Sequence, residues 1–384
     1  MTDLDAVLGG GIVHGSILLL AGEPGIGKST LTLQAIGGLG AAGHRTLLVS
    51  GEESLSQLSL RARRLGLALD DLRAAASSSL PAILDAARRE QPDVLVVDSI
   101  QTMQDPRFDQ GAGSVIQVRE CAVALAGHAR STGTAVILVG HVTKEGTVAG
   151  PKTLEHLVDA VVNFEGDRTG SLRLLRTTKN RFGSCDEVGV FSMGACGLVP
   201  VDDPSAVMLE DRREGAPGST VFPSVEGTRP ILKEIQALVT ASEFAQSRRV
   251  AIGVDQRRLA LLIGIMTERA ALSLDRKDVF AAAAGGLSVK EPAADLALCL
   301  AVGSACAERP LDPKVVAIGE VGLSGEIRRV PSVDRRLAEA ARMGFTRALV
   351  PRGRHAARSD IDVVPVGDLA EALIVTTSPR SIAV

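Results

Sequence analysis

A short apolar run, Ile17 to Ala21, leads straight into Gly22-Glu23-Pro24-Gly25-Ile26-Gly27-Lys28-Ser29, with Thr30 following. A run of this kind reads as a buried strand, and the eight residues after it fit G-x-x-x-x-G-K-[ST] without a mismatch. Nothing else constrains the chain as strongly, because strand, phosphate-binding loop and helix must follow in that order. The glycines let successive backbone N–H groups turn inward around an anion where a Cβ would block the approach. A helix beginning near Lys28 adds its positive N-terminal end. Lys28 is then expected to reach the β- and γ-phosphates of ATP or ADP, and Ser29, or Thr30 beside it, to offer a hydroxyl to Mg²⁺.

Around this unit the chain alternates. A helix is expected to about Gly43, then a strand over Thr46–Ser50 with Gly51-Glu52-Glu53-Ser54 at its C-terminal edge, then a helix to Leu65 and another near Pro81–Glu90. Val94 to Asp98 is an apolar strand ending in a carboxylate, the Walker B pattern. A helix over Ser114–Ala129 precedes strands at Thr134–Gly140, Ala160–Phe164 and Leu172–Thr178. Such alternation implies an α/β core with a parallel sheet and ligands at the strand ends. The glycine-rich lead-in, Leu4 to Gly15, is expected to lie near the nucleotide pocket.

Four groups converge on that edge. Asp98 is placed to hold Mg²⁺ directly or through water. Glu52 and Glu53 are both candidates to polarise the attacking water, and either could instead cap the helix that follows. His141 ends the strand after Asp98, as a sensor of the γ-phosphate or as a plain strand-end histidine. Farther on, Lys179 and Arg181 project to one side of an extended segment. That suits a cationic clamp on phosphate, the alternative being a solvated hairpin tip.

At 384 residues the chain is long for one core, so two domains are expected. A hydrophobic content of 45% with 23% charge describes a globular protein, and no apolar run is long enough to span a bilayer. Five scattered cysteines form no C-x-x-C pair, which leaves no disulfide framework or zinc module to read and makes a cytoplasmic location the expectation. A net charge of −3 confines any nucleic-acid binding to local patches. Having no Trp or Tyr and only eight Phe argues against a base-stacking platform.

Taken together, Leu8-Gly-Gly-Gly-Ile-Val13, the phosphate loop, Ser50-Gly-Glu-Glu-Ser54, Gly140-His-Val-Thr-Lys-Glu-Gly146 and Lys179-Asn-Arg-Phe-Gly183 resemble the bacterial RadA (Sms) DNA-repair ATPase family over nearly the whole chain. The resemblance implies a RecA-like core assembled as a homo-hexameric ring similar to the DnaB helicase. It also implies ATP-driven movement on single-stranded DNA that promotes branch migration of recombination intermediates alongside a recombinase. In such a ring Lys179 and Arg181 reach the neighbouring subunit's nucleotide. The loops 107–115 and 142–152, with Arg107, Lys144 and Lys152, then face DNA. That family usually carries an N-terminal four-cysteine zinc finger, of which this sequence has none, so no zinc is expected.

Residues 203–218, acidic and rich in Pro and Gly, read as a linker between an ATPase domain at 1–202 and a second domain at 219–384. Beyond it, Gly285 to Ala297 and Ile318 to Arg328 resemble the α+β proteolytic domain of Lon, which uses a Ser nucleophile and a Lys base. Where that resemblance places the serine this sequence has Ala293. The lysine region reads Val333-Asp-Arg-Arg336, and an arginine stays protonated. The arginines there are expected to form a scaffold that helps hold a ring and touch DNA, or simply a solvated basic surface. A DNA-motor ATPase is therefore the expected function. The alternatives are a RecA-type regulatory ATPase acting on protein partners, as in KaiC, and an ATP-dependent peptidase, which Ala293 disfavours.

Overall fold

The strands of the first half alternate their burial from side to side, and that alternation builds the fold. In a computed structural model, which describes residues 2–70, 72–141, 154–166, 172–243, 247–353 and 358–377, the chain divides into two compact units, Met1–Asp202 and Asp203–Val384. The first unit holds β1 (Ile17–Gly22), β2 (Thr46–Ser50), β3 (Arg73–Ala76), β4 (Val94–Asp98), β5 (Ala135–His141), β6 (Ala160–Glu165), β7 (Leu172–Asn180), β8 (Val188–Gly194) and β9 (Gly197–Pro200). They form one sheet in the order β3-β2-β4-β5-β1-β6-β7-β8-β9. Leu19, Leu47, Val97 and Leu138 face one apolar layer, whereas Leu20, Leu48, Val96 and Val139 face the other. Burial on both faces is what a parallel sheet with helices on each side requires.

Helices α1 (Thr2–Val7), α2 (Lys28–Ala41), α3 (Leu55–Arg64), α4 (Leu80–Glu90) and α5 (Val115–Thr132) connect or flank these strands. Ser54 opens α3 with a capping box to Gln57, and the Ser114 hydroxyl accepts from the Gln117 N–H at the start of α5. From β6 onward the sheet departs from the expected parallel pattern. β6, β7, β8 and β9 pair antiparallel, because their connections are too short for a crossover. β3 was not anticipated. Its sequence, Arg-Ala-Ala-Ala, has little strand propensity, and pairing with β2 at the rim of the sheet sets its conformation.

The second unit is built on a seven-stranded mixed sheet. Its strands are β10 (Ser219–Glu226), β11 (Arg229–Ala241), β12 (Arg249–Ile252), β13 (Lys277–Ala283) and β14 (Val315–Ala317), with a small ribbon, β15 (Glu320–Val321) and β16 (Ile327–Arg328), and then β17 (Arg347–Pro351) and β18 (Asp362–Val366). The sheet order is β12-β13-β11-β10-β14-β17-β18. The helix Asp295–Ala307 is buried through Ser304 and anchors the largest apolar cluster. The stretch read as a linker is partly structured. Pro204–Leu209 is a helix, the buried Ser205 hydroxyl accepts from the Leu232 N–H at 3.0 Å, and Asp203 pairs with Arg342 at 2.7 Å. Among the described residues no helix is long and apolar enough to cross a membrane.

Candidate nucleotide site

The parallel register of the first unit brings the predicted groups to one edge. Ser50 lies opposite Asp98, Asp98 opposite Val139, and Gly22 opposite His141. At that edge the backbone leaves β1 as a tight loop. Gly25 and Gly27 sit at φ +79° and +119°, in the region that favours glycine. A Cβ at Gly22 would stand 2.6 Å from the Phe164 carbonyl oxygen, and one at Gly27 2.8 Å from Met193 Cε. Glu23, Pro24 and Gly25 are exposed at the loop's crest, Ile26 is buried behind it, and Ser29 and Thr30 begin α2 half-buried.

Lys28 is 3% exposed. Its Nζ donates to the carbonyls of Gly22 and Glu23, both at 2.9 Å, and lies 3.1 Å from His141 Nδ1. An ammonium has only protons to offer, so Nδ1 accepts and the ring proton sits on Nε2. That Nε2 faces Glu52 Oε1 at 3.1 Å. The Ser99 hydroxyl donates to the same oxygen at 2.5 Å. With the His141 hydrogen bond as the main cause, the Glu52 carboxyl is held down at about 2. Glu52 is thus an ionised carboxylate steered by two neighbours through one oxygen.

Glu53 is placed differently. It pairs with Arg61 of α3, and burial pushes its carboxyl up. Its Oε2 is buried without a hydrogen-bond partner among the described residues. Asp98 is 7% exposed, and burial pushes its carboxyl up against the opposing hydrogen bond from Ser29. Asp98 Oδ1 has no partner among the described residues. A buried carboxylate oxygen left unsatisfied beside a serine hydroxyl is a hard-oxygen donor set that fits Mg²⁺.

Lys179 and Arg181 lie elsewhere on the sheet. Lys179 is opposite Val161, near the start of β6, and its Nζ donates to the carbonyls of Glu155 and Val158. The Arg181 guanidinium donates to Asp159 Oδ1 at 3.1 Å, while Asp159 Oδ2 accepts from the Ile17 N–H at 3.0 Å. Both cations therefore sit at the edge where β1 begins, and the phosphate loop sits where it ends. The glycine lead-in joins them rather than the nucleotide pocket. The Asn180 side chain donates to the Leu8 carbonyl at 3.1 Å, and a Cβ at Gly9 would stand 3.2 Å from Gly183 Cα. Its glycines serve this close backbone approach.

Arg107 is exposed but clasped by the buried Asp105, which accepts from its Nε and Nη2. Lys144 and Lys152 lie outside the described residues. Sequence reasoning missed three groups. Ser99 had only its place after Asp98 to signal it. Gln101, whose Nε2 donates to the His141 carbonyl at 3.3 Å, and Asp159 belong to no motif.

Residues 2–147 match the AAA domain family, and residues 274–354 match the family described as subunit ChlI of Mg-chelatase. The DNA repair protein RadA of Pseudomonas aeruginosa is 49% identical over 374 residues, 97% of this chain and 82% of that protein. The chain belongs to the RadA DNA-repair family. RadA of Listeria monocytogenes is 46% identical over 97% of the chain and 82% of its own length, and RadA of Streptococcus pneumoniae 47% over 92% and 84%. The RadA resemblance carried by the motifs is thereby borne out, and so is a P-loop ATPase core. Ala293 is buried, and Arg336, 2% exposed, donates to Glu291 Oε2 at 2.6 Å and to the Pro223 carbonyl at 2.5 Å.

Proposed function

We propose that this chain is an ATP-hydrolysing DNA motor that works as a ring, binds single-stranded DNA and drives branch migration during recombination repair. Lys28 and the loop N–H groups hold the phosphates, while Ser29 and Asp98 hold Mg²⁺. When bound, that ion neutralises charge on the phosphoryl oxygens. Glu52 orients and polarises the attacking water. Its Oε1 is occupied by His141 and Ser99, which leaves Oε2 for that role. His141 reports the γ-phosphate by exchanging its contact with Lys28. Arg107, Lys144 and Lys152 track the DNA backbone. The second unit is a scaffold without peptidase activity, because Ala293 offers no nucleophile and Arg336 no base.

One observation carries the ring reading. Arg181 lies beside Asp159 and Ile17, five residues before Gly22 along β1. At about 3.3 Å per residue that is roughly 16 Å from its own phosphate loop, beyond the reach of the side chain. Lys179 and Arg181 therefore act on a neighbour's nucleotide, as an arginine finger supplied in trans.

Mixing two inactive proteins tests this. Arg181→Ala should bind nucleotide nearly normally but turn over about a thousandfold more slowly. Lys28→Ala fails at its own loop yet presents an intact finger. A mixture should regain activity, because some interfaces then combine an intact loop with an intact finger. An assembled mixture with no recovery would refute the shared site. Turnover unresponsive to single-stranded DNA would favour a regulatory ATPase acting on protein partners.

A further inference from the structure

Strand β12 is the rim of the seven-stranded sheet and, among the described residues, pairs only with β13. The Arg248 carbonyl accepts from the Val279 N–H at 3.0 Å. By the alternation of a parallel ladder, Val250 and Ile252 also turn their backbone groups toward β13, while Arg249 and Ala251 turn theirs outward. One side chain satisfies those outward groups. Gln256 Oε1 accepts from the Ala251 N–H at 2.8 Å, and Gln256 Nε2 donates to the Arg249 carbonyl. A residue of a parallel strand lying opposite Val250 would make the same two bonds, so the Gln256 amide stands in for one residue of an added strand.

Two further features lie at this rim. Val250 and Ile252 are 38% and 67% exposed, in register with Phe280 and Ala282 of β13. Gln256 also lines a cavity of about 600 Å³, whose wall includes Val254, Val289, Leu298 and the exposed Lys290. The flanking charge is positive. Arg249, Arg257, Arg276 and Lys290 have no ion-pair partner among the described residues, against Asp255 and Asp275 with none.

We propose that the β12 rim receives an extended, acidic and apolar segment of a partner protein as an added strand. The incoming backbone displaces the Gln256 amide, an apolar side chain enters the cavity, and acidic side chains meet Lys290 and Arg257. Such strand addition gives affinity through main-chain hydrogen bonds and specificity through pockets for alternate side chains.

The test uses the full chain and a fluorescein-labelled peptide of about ten residues that alternates glutamate with valine or isoleucine, read by anisotropy. One control replaces two central residues by proline and another replaces each glutamate by lysine. The acidic peptide should bind and both controls should fail. Q256A should bind it about fivefold tighter, because nothing has to be displaced. K290E should bind it about threefold weaker. Ala251→Pro should abolish binding yet keep β12 on β13, since the N–H it removes points outward. Absence of binding, equal binding of the proline control, or Q256A no tighter than wild type would each overturn the proposal. So would displacement of the peptide by single-stranded DNA, which would make the rim a nucleic-acid surface. Should Ala251→Pro fail to fold, the Q256A comparison still decides.

Discussion

His141 and Glu52 meet at 3.1 Å, Nε2 to Oε1, and the other ring nitrogen stands the same distance from Lys28 Nζ. One imidazole thus links the cation of the phosphate loop to the carboxylate beyond β2. Without it the carboxylate loses one of its two steering contacts. His141→Ala is expected to lower kcat about 10- to 100-fold while nucleotide affinity changes far less. Steady-state hydrolysis and fluorescent-nucleotide titration read the two effects separately, and an unchanged kcat would remove His141 from the machinery.

Glu52 also carries a pH signature. Its carboxyl is depressed from the ordinary 4.5 to about 2 in the folded chain. A depressed carboxyl stabilises the fold above its unfolded value, and that contribution disappears as pH falls toward the folded one. The stability gap between wild type and Glu52→Gln should therefore be constant above pH 4.5 and narrow in the window from 4.5 down to about 2. Denaturant midpoints at several pH values measure it. A gap that widens with acid would contradict an ionised, hydrogen-bonded Glu52.

Gly27→Ala should abolish nucleotide binding. The backbone there is at φ +119°, and the new Cβ would meet Met193 Cε at 2.8 Å. The methionine end can swing aside, but the backbone cannot, and such strain costs about 1–3 kcal/mol. Adding Met193→Ala should accordingly restore little. Full recovery in the double variant would make the clash, not the backbone, the cause.

Arg336→Met should destabilise the second unit by about 3–5 kcal/mol, because it strands a partner of a buried pair. Arg336 donates to Glu291 and lies 5.4 Å over the Phe222 ring. Chemical unfolding would show the loss, and a cost below about 1 kcal/mol would mean that the pair is solvated.

The readable parts of the site were those in which chemistry is local. The phosphate loop, the apolar strand ending in Asp98 and the Ser54 cap each complete their logic within a few residues. What stayed hidden depends on pairing between distant segments. Nothing near Lys179 says that its amine meets the carbonyls of Glu155 and Val158, and nothing near Asp159 says that it holds both Arg181 and the Ile17 N–H. The glycines before Gly15 announced backbone freedom but not its use, so their docking on Asn180 and Gly183 emerged only from the fold. The different surroundings of Glu52 and Glu53 likewise emerged only with the positions of His141, Ser99 and Arg61.

The Arg336–Glu291 pair ties the choice of residue at position 336 to the packing of the second unit. Arg336 reaches Glu291 in the same stretch that carries the buried Ala293. Replacing Arg336 by a lysine shortens the donor that now spans Glu291, Pro331 and Pro223, and removes the planar guanidinium resting on Phe222. Position 336 is thus held to arginine by three acceptors and an aromatic face at once, whatever side chain occupies position 293.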